Sequence, residues 1–191
     1  MVIGKTFAWG HLPKTGGDAT LRLFSVFPEI VVFADDRAEH AKHTFFRDRE
    51  GEITGKRLAL NIRRLPSWIV SWAHQLERGA PGFPPKEMAT PAEMVEWDVA
   101  DRMIRAFTDD GRFTIDHWIR MEHLKDDFLA FIAQQAEIST EKKVEVAAAP
   151  MVNTMEYDHD VLNWFTEQEL ARLYERNPRW AEIERREYEE G

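Results

Sequence analysis

The chain has 191 residues, 43% of them hydrophobic, a formal net charge of -9 and no cysteine. That length suits a single domain over 1–191 that buries about 70% of its unfolded surface, while the acidic balance argues against a general nucleic-acid binder, whose affinity comes from a basic surface. Without cysteine there is no disulfide framework and no thiolate chemistry, and no N-terminal apolar run has the length of a signal peptide or membrane span; a soluble, cytoplasmic protein is expected.

In chain order, Lys5 to Trp9 reads as a first strand and Asp18 to Phe27 as a helix with Ala19, Leu23, Phe24 and Phe27 on its apolar face. Glu29 to Ala34 is a short buried strand, β-branched and aromatic at Ile30-Val31-Val32-Phe33. The three form a β-α-β unit, for which parallel strands and a right-handed connection are expected. Arg57 to Ile62 is a further strand. It runs into a helix from Pro66, where Leu65, Trp68, Ile69, Trp72, Ala73 and Leu76 make one stripe at helical spacing. Gly79 to Lys86 is a loop dense in proline and glycine. A long helix is expected from Pro91 to Thr108, a strand within Phe113 to Met121 and a helix from Leu124 to Ala133. The charged, alanine-rich stretch from Ile138 to Pro150 declares no form. Thr166 to Glu169 is a capping box and Asn177-Pro178 a helix start, so two short helices close the chain.

The chemistry concentrates between the first strand and the first helix, in Gly10-His11-Leu12-Pro13-Lys14-Thr15-Gly16-Gly17-Asp18-Ala19-Thr20. A strand-to-helix junction gathers backbone N–H groups without helical partners at the positive end of the helix dipole, and Lys14 adds a full charge there. An anion is the expected ligand. The order is not that of a Walker A loop, in which the lysine follows the second glycine. Pro13-Lys14-Thr15-Gly16-Gly17 instead resembles the 5'-phosphosulfate loop of sulfotransferases that use 3'-phosphoadenosine 5'-phosphosulfate (PAPS), and in particular the carbohydrate-type family that includes heparan sulfate 2-O-sulfotransferases and bacterial relatives.

A second constellation, Leu60-Asn61-Ile62-Arg63-Arg64-Leu65-Pro66-Ser67-Trp68-Ile69-Val70-Ser71-Trp72, is similar to the family's 3'-phosphate site, a strand ending in Arg-x-Pro with a serine eight residues after the arginine. Arg63 with Ser71 keeps the serine spacing, and Arg64 with Pro66 keeps the Arg-x-Pro pattern. Arg63 is the favoured phosphate ligand and Arg64 the alternative, arginine being suited by its planar fork to phosphate oxygens. Trp118 to Phe128 resembles the family's Arg-x-Glu-x-Leu segment followed by Asp-Phe, and Leu173 to Glu184 resembles the terminal helical segment of bacterial members.

The resemblance implies a P-loop-like, three-layer α/β fold: a short central parallel sheet flanked by helices, with a helical C-terminal portion. It implies transfer of a sulfuryl group from PAPS to an acceptor hydroxyl, of carbohydrate type by family, releasing adenosine 3',5'-bisphosphate and needing no metal. Lys14 would neutralise the leaving oxygen. Lys14, Thr15, Gly16, Gly17, Asp18, Ala19 and Thr20 would hold the 5' end, through backbone amides and the Thr15 and Thr20 hydroxyls, while Arg63, Arg64 and Ser71 would take the 3'-phosphate of the same nucleotide. His43, in Lys42-His43-Thr44, is the first choice of general base, His11 the second and His40 the third. The acceptor site is expected from Gly79 to Lys86 and the segment after Ala34.

Plainer readings stand beside these. The lysine and glycines would make an ordinary turn, Arg63 and Ser71 a surface arginine and a solvent-facing helix serine, and His43 an exposed loop histidine; His40-x-x-His43 lacks a third metal ligand, and Trp68 and Trp72 suit a core. Asp18 stands where relatives carry threonine or serine, placing a carboxylate beside a dianionic donor. This keeps open a non-catalytic, nucleotide-binding or interaction protein of the same fold, with a small nucleotide-dependent kinase as the third alternative.

Overall fold

Five short strands form one sheet in the order β3-β1-β2-β4-β5: β1 (Val2–Gly4), β2 (Phe7–His11), β3 (Val31–Ala34), β4 (Arg57–Ile62) and β5 (His117–Arg120). The eight α-helices are α1 (Gly17–Phe24), α2 (Glu50–Ile53), α3 (Leu65–Arg78), α4 (Val99–Thr108), α5 (Leu124–Ala133), α6 (Thr140–Ala148), α7 (Glu167–Arg176) and α8 (Pro178–Glu189), among the described residues. The structure is a computed structural model and describes residues 1–35, 43–78, 90–150, 152 and 156–189. They divide into a sheet unit, Met1–Ile62 with Arg105–Thr154, and a helical unit, Arg63–Ile104 with Met155–Gly191. The fold class is mixed α/β.

In the sheet unit β2, β4 and β5 are parallel neighbours, with Trp9 level with Ala59, and His11 and Ile119 both level with Asn61. β1 pairs antiparallel with β2 on one side and β3 on the other. Thus β2 and β3 run in the same direction, as expected of the strands flanking α1, but they are not neighbours. Val2–Gly4 is too short to carry a pattern in sequence, and the strand expected from Lys5 begins at Phe7, because Lys5 and Thr6 are exposed in the bend between β1 and β2.

The parallel strands are apolar on both faces, as strands covered twice must be. One face carries Phe7, Trp9, Ala59 and Ile119 into a core with Ala19, Leu23 and Phe24 of α1, Leu124, Phe128, Phe131 and Ile132 of α5, and Val146 of α6. Phe7 stacks on Phe24 and meets Phe131 edge-on at 5.2 Å between ring centres, a geometry favoured by the ring quadrupoles. On the other face Phe46 lies over Gly10, where a side chain's Cβ would come 3.2 Å from its ring. α5 has the bounds its sequence predicts. α1 ends at Phe24, three residues early, because Ser25, Val26 and Phe27 close the turn with i→i−3 bonds. The undeclared stretch is helical from Thr140, capped by the Ser139 hydroxyl accepting from Lys142 N–H. β5 is shorter than Phe113 to Met121, with the Asp116 carboxylate accepting from Leu58 N–H just before it.

In the helical unit the stripe on α3 is buried at Leu65, Trp68, Ile69 and Ala73, and Trp68 packs on Trp180 of α8 with ring centres 4.9 Å apart. The helix expected from Pro91 to Thr108 is broken: Glu93–Glu96 is a 3-10 turn, Trp97 is extended, and α4 starts at Val99. Asn177 causes this restart by accepting from the N–H groups of Ala100 and Asp101. α7 begins in the capping box read from Thr166 and Glu169.

No helix of the described residues is long and apolar enough to cross a membrane.

Candidate functional site

Parallel strands end on the same edge of a sheet, and ligands of open α/β folds bind where successive connections leave in opposite directions. Here the chain leaves β2 toward β3 on one side, and the strand that follows β4 in the sheet is β5 on the other. The carboxyl ends of β2 and β4 are therefore the switch point, and the Lys14 loop lies at the first of them.

The loop backbone is unusual in a telling way. Lys14 has φ 66 and Gly16 has φ 84, so two left-handed residues flank Thr15. Alternation of this kind curls successive amides toward one centre, the nest found at many anion sites. A lysine in the left-handed region costs roughly 1 kcal/mol that a glycine would not, so the charged side chain is held there against backbone preference. Gly16 is the N-cap of α1, and the first helical bond runs from Thr20 N–H to Gly16 O at 2.9 Å. The N–H groups of Gly17, Asp18 and Ala19 lie ahead of that bond and point out of the helix start.

Gly17 is needed for space as well, and Gly16 sits against the end of a flexible side chain. A Cβ on Gly16 would lie 2.3 Å from the sulfur of Met121, and one on Gly17 would lie 1.9 Å from the imidazole of His11. The loop is thus clamped between the residue that follows β5 and the last residue of β2.

Asn61, buried at the end of β4, ties the loop to the sheet. Its Nδ2 donates to Thr15 O at 2.9 Å and to Thr20 Oγ1 at 2.8 Å, and its Oδ1 accepts from Trp9 Nε1 at 2.6 Å. Sequence pattern alone assigns Asn61 no role of its own. The signal was there: a buried asparagine within Leu58-Ala59-Leu60-Asn61-Ile62 must find partners.

The threonines correct the sequence expectation. Thr15 and Thr20 are fully buried, the Thr15 hydroxyl donates to Leu12 O at 2.7 Å, and the Thr20 hydroxyl donates to Gly16 O at 3.1 Å while accepting from Asn61. Each hydroxyl has one hydrogen, so neither donates to a ligand in this arrangement. They brace the loop. Asp18 is half-buried in the first turn of α1, where a carboxylate is favoured by the helix dipole.

Two of the three candidate bases meet. The rings of His11 and His43 are 4.6 Å apart, and His43 Nδ1 is 3.4 Å from His11 O. A carbonyl only accepts, so His43 Nδ1 is the donor in this contact. His43 is exposed, whereas His11 is buried, stacked on Trp9 at 5.1 Å and pressed against Gly17. Thr44 holds the neighbouring backbone through its hydroxyl, which donates to Asp35 at 3.0 Å. His40, Lys42 and Gly79 to Lys86 lie outside the described residues.

The motif after β5 has a structural explanation. Arg120 donates from Nε and from its terminal nitrogen to the two oxygens of Asp127, each at 2.7 Å, and its backbone N–H donates to Asp127 at 2.8 Å. The pair fixes the turn that carries Met121.

The second constellation belongs to the helical unit. Arg63 donates to the Tyr157 hydroxyl at 2.8 Å, and its carbonyl accepts from Trp180 Nε1 at 3.0 Å. Arg64 faces the buried Glu184 carboxylate at 3.5 Å and lies over the ring of Tyr188. Glu184 also accepts from Leu65 N–H at 2.8 Å, capping α3, and from the Tyr174 hydroxyl at 2.9 Å. Arg64 thus faces a carboxylate, and Arg63 donates to a hydroxyl. Ser71 is buried on α3, contrary to a solvent-facing serine.

Among the described residues no group of three or more His, Asp or Glu side chains is arranged to hold a metal ion. No family model, curated protein or solved structure matches the chain.

Proposed function

We propose that the protein is a PAPS-dependent sulfotransferase with a P-loop-like three-layer fold, in which the Lys14 loop holds the phosphosulfate end of the donor. The observation that carries this reading is the left-handed pair Lys14 and Gly16, set at the switch point of the parallel strands and within the same sheet unit as the His11–His43 pair. A lysine held in a glycine's conformation at a helix start, in the same unit as an exposed imidazole, suits transfer of an anionic group to a hydroxyl.

In the reaction the sulfur–oxygen bond to the 5'-phosphate breaks as a bond forms to the acceptor oxygen, and the acceptor proton goes to His43 Nε2. Lys14 neutralises the charge that grows on the departing phosphate oxygen, an electrostatic contribution of the kind that dominates group transfer. The amides from Gly16 to Ala19 hold the phosphate and sulfuryl oxygens, and Asn61 keeps them in place through Thr15 and Thr20. His11 O holds His43 in the productive tautomer. Arg63 and Ser71 keep the role that the resemblance gives them at the 3'-phosphate; the acceptor is a hydroxyl compound, of carbohydrate type by the same resemblance.

A second reading rests on Asp18. Its carboxylate, in the first turn of α1, repels a dianion by roughly 1 to 4 kcal/mol at ~4 Å, which favours a protein that binds the bisphosphate product without transferring sulfate.

Calorimetric titration with adenosine 3',5'-bisphosphate tests the shared premise. Micromolar-range binding is expected, weakened by about 1.5 to 3 kcal/mol in Lys14→Ala and in Arg63→Ala through loss of charged hydrogen bonds. Absence of binding overturns both readings, and unaltered binding in Arg63→Ala removes that residue from the site. Transfer of labelled sulfate from PAPS, lost in His43→Gln with nucleotide binding intact, separates enzyme from non-catalytic binder.

A further inference from the structure

A side chain on Gly16 would meet Met121 first: a Cβ there would lie 2.3 Å from the Met121 sulfur, 3.5 Å from its methyl and 3.8 Å from its Cγ. The thioether therefore rests on the Cα side of the left-handed glycine that starts α1. Met121 itself is half-buried, on the turn between β5 and α5, and that turn is fixed by the Arg120–Asp127 pair. Met121 therefore combines a thioether in contact with the glycine that starts α1 and a residue surface partly open to solvent, so a change of size and polarity at its sulfur acts directly on the loop.

We infer that Met121 is a reversible oxidation site that controls the anion loop. A peroxide transfers one oxygen to the thioether: the O–O bond breaks, an S–O bond forms, the sulfur loses two electrons, and the second peroxide oxygen leaves as water. The sulfoxide is larger than the thioether and its oxygen is a strong acceptor. Packed against Gly16, that oxygen competes for the same first-turn amides that the loop offers to an anion. Oxidation closes the site, and a methionine sulfoxide reductase, which returns the oxygen as water at the expense of two thiols, reopens it. The inference rests on the reading of the loop as an anion site only for its effect on binding; the change in the loop itself does not depend on that reading.

The experiment uses the full chain, treated with hydrogen peroxide and compared with Met121→Leu, which keeps the apolar contact without the sulfur. Peptide mass spectrometry follows sulfoxide at each of the seven methionines, amide hydrogen exchange follows residues 14–20, and calorimetry follows adenosine 3',5'-bisphosphate. Oxidised wild type is expected to exchange the loop amides at least fivefold faster and to bind the bisphosphate at least tenfold more weakly. Both effects reverse with reductase and are absent in peroxide-treated Met121→Leu. Met121 left unmodified while other methionines oxidise, or full Met121 oxidation with unchanged loop exchange, overturns the inference. No bisphosphate binding by untreated protein overturns the proposed function instead, and the exchange measurement still decides this one.

Discussion

Asn177 and Asp101 cap one another's helices. Asn177 Oδ1 accepts from the N–H groups of Ala100 and Asp101 at the start of α4, at 3.1 and 3.2 Å, and the Asp101 carboxylate accepts from Arg179 and Trp180 N–H at the start of α8, at 3.1 and 2.9 Å. Asn177 also donates to Trp97 O and Leu173 O. Every polar atom of its buried side chain is thereby used, and the interruption between Glu93–Glu96 and α4 is fixed from a position 76 residues away.

Loss of either cap should be costly because the partner amides are buried. Asn177→Ala is expected to destabilise the protein by about 2 to 3 kcal/mol, from a lost cap and unsatisfied buried groups. Asp101→Asn, which keeps an acceptor, is expected to cost under ~1 kcal/mol. Urea denaturation of both variants measures this, and equal losses would contradict the reciprocal arrangement.

Lys14→Gly separates stability from function. Glycine relieves the left-handed strain, so stability in denaturant should be unchanged or higher by up to about 1 kcal/mol. Anion binding by calorimetry should nevertheless fall at least tenfold. A fall in stability with no change in binding would mean that the lysine serves packing.

Asn61→Leu removes three hydrogen bonds at once and leaves Trp9 Nε1 and Thr15 O without their partner. A cost of about 2 to 4 kcal/mol is expected, with faster hydrogen exchange at residues 14–20. Native-like exchange in that segment would show that the loop does not depend on β4.

The Tyr174 hydroxyl is held far above its usual value of 10.0, first by burial and then by the Glu184 carboxylate beside it. A folded-state value above the unfolded one gives stability that is fully present below the ordinary phenol range and is lost as pH rises beyond it. Stability should thus decline with a steeper alkaline limb in wild type than in Tyr174→Phe. Ultraviolet titration should give both proteins the same phenolate signal up to the unfolding pH; a smaller signal in the variant would show Tyr174 ionising in the native state.

Local signals in this chain were legible without a structure. β4 and α5 follow from residue types within a single element, the Thr166–Glu169 box from one helical turn, and the strand–loop–helix at Lys14 from the order of proline, lysine and glycines. What the sequence alone left open depends on which distant segments become neighbours. The insertion of β1 between β2 and β3, the commitment of the Thr15 and Thr20 hydroxyls to bracing, and the meeting of His11 with His43 all belong to that kind. So does the position of Met121 under Gly16. Periodicity and capping are properties of adjacent residues and are written in one dimension, whereas a hydroxyl's single hydrogen or an asparagine's four bonding positions are assigned only when the folded chain presents the partners.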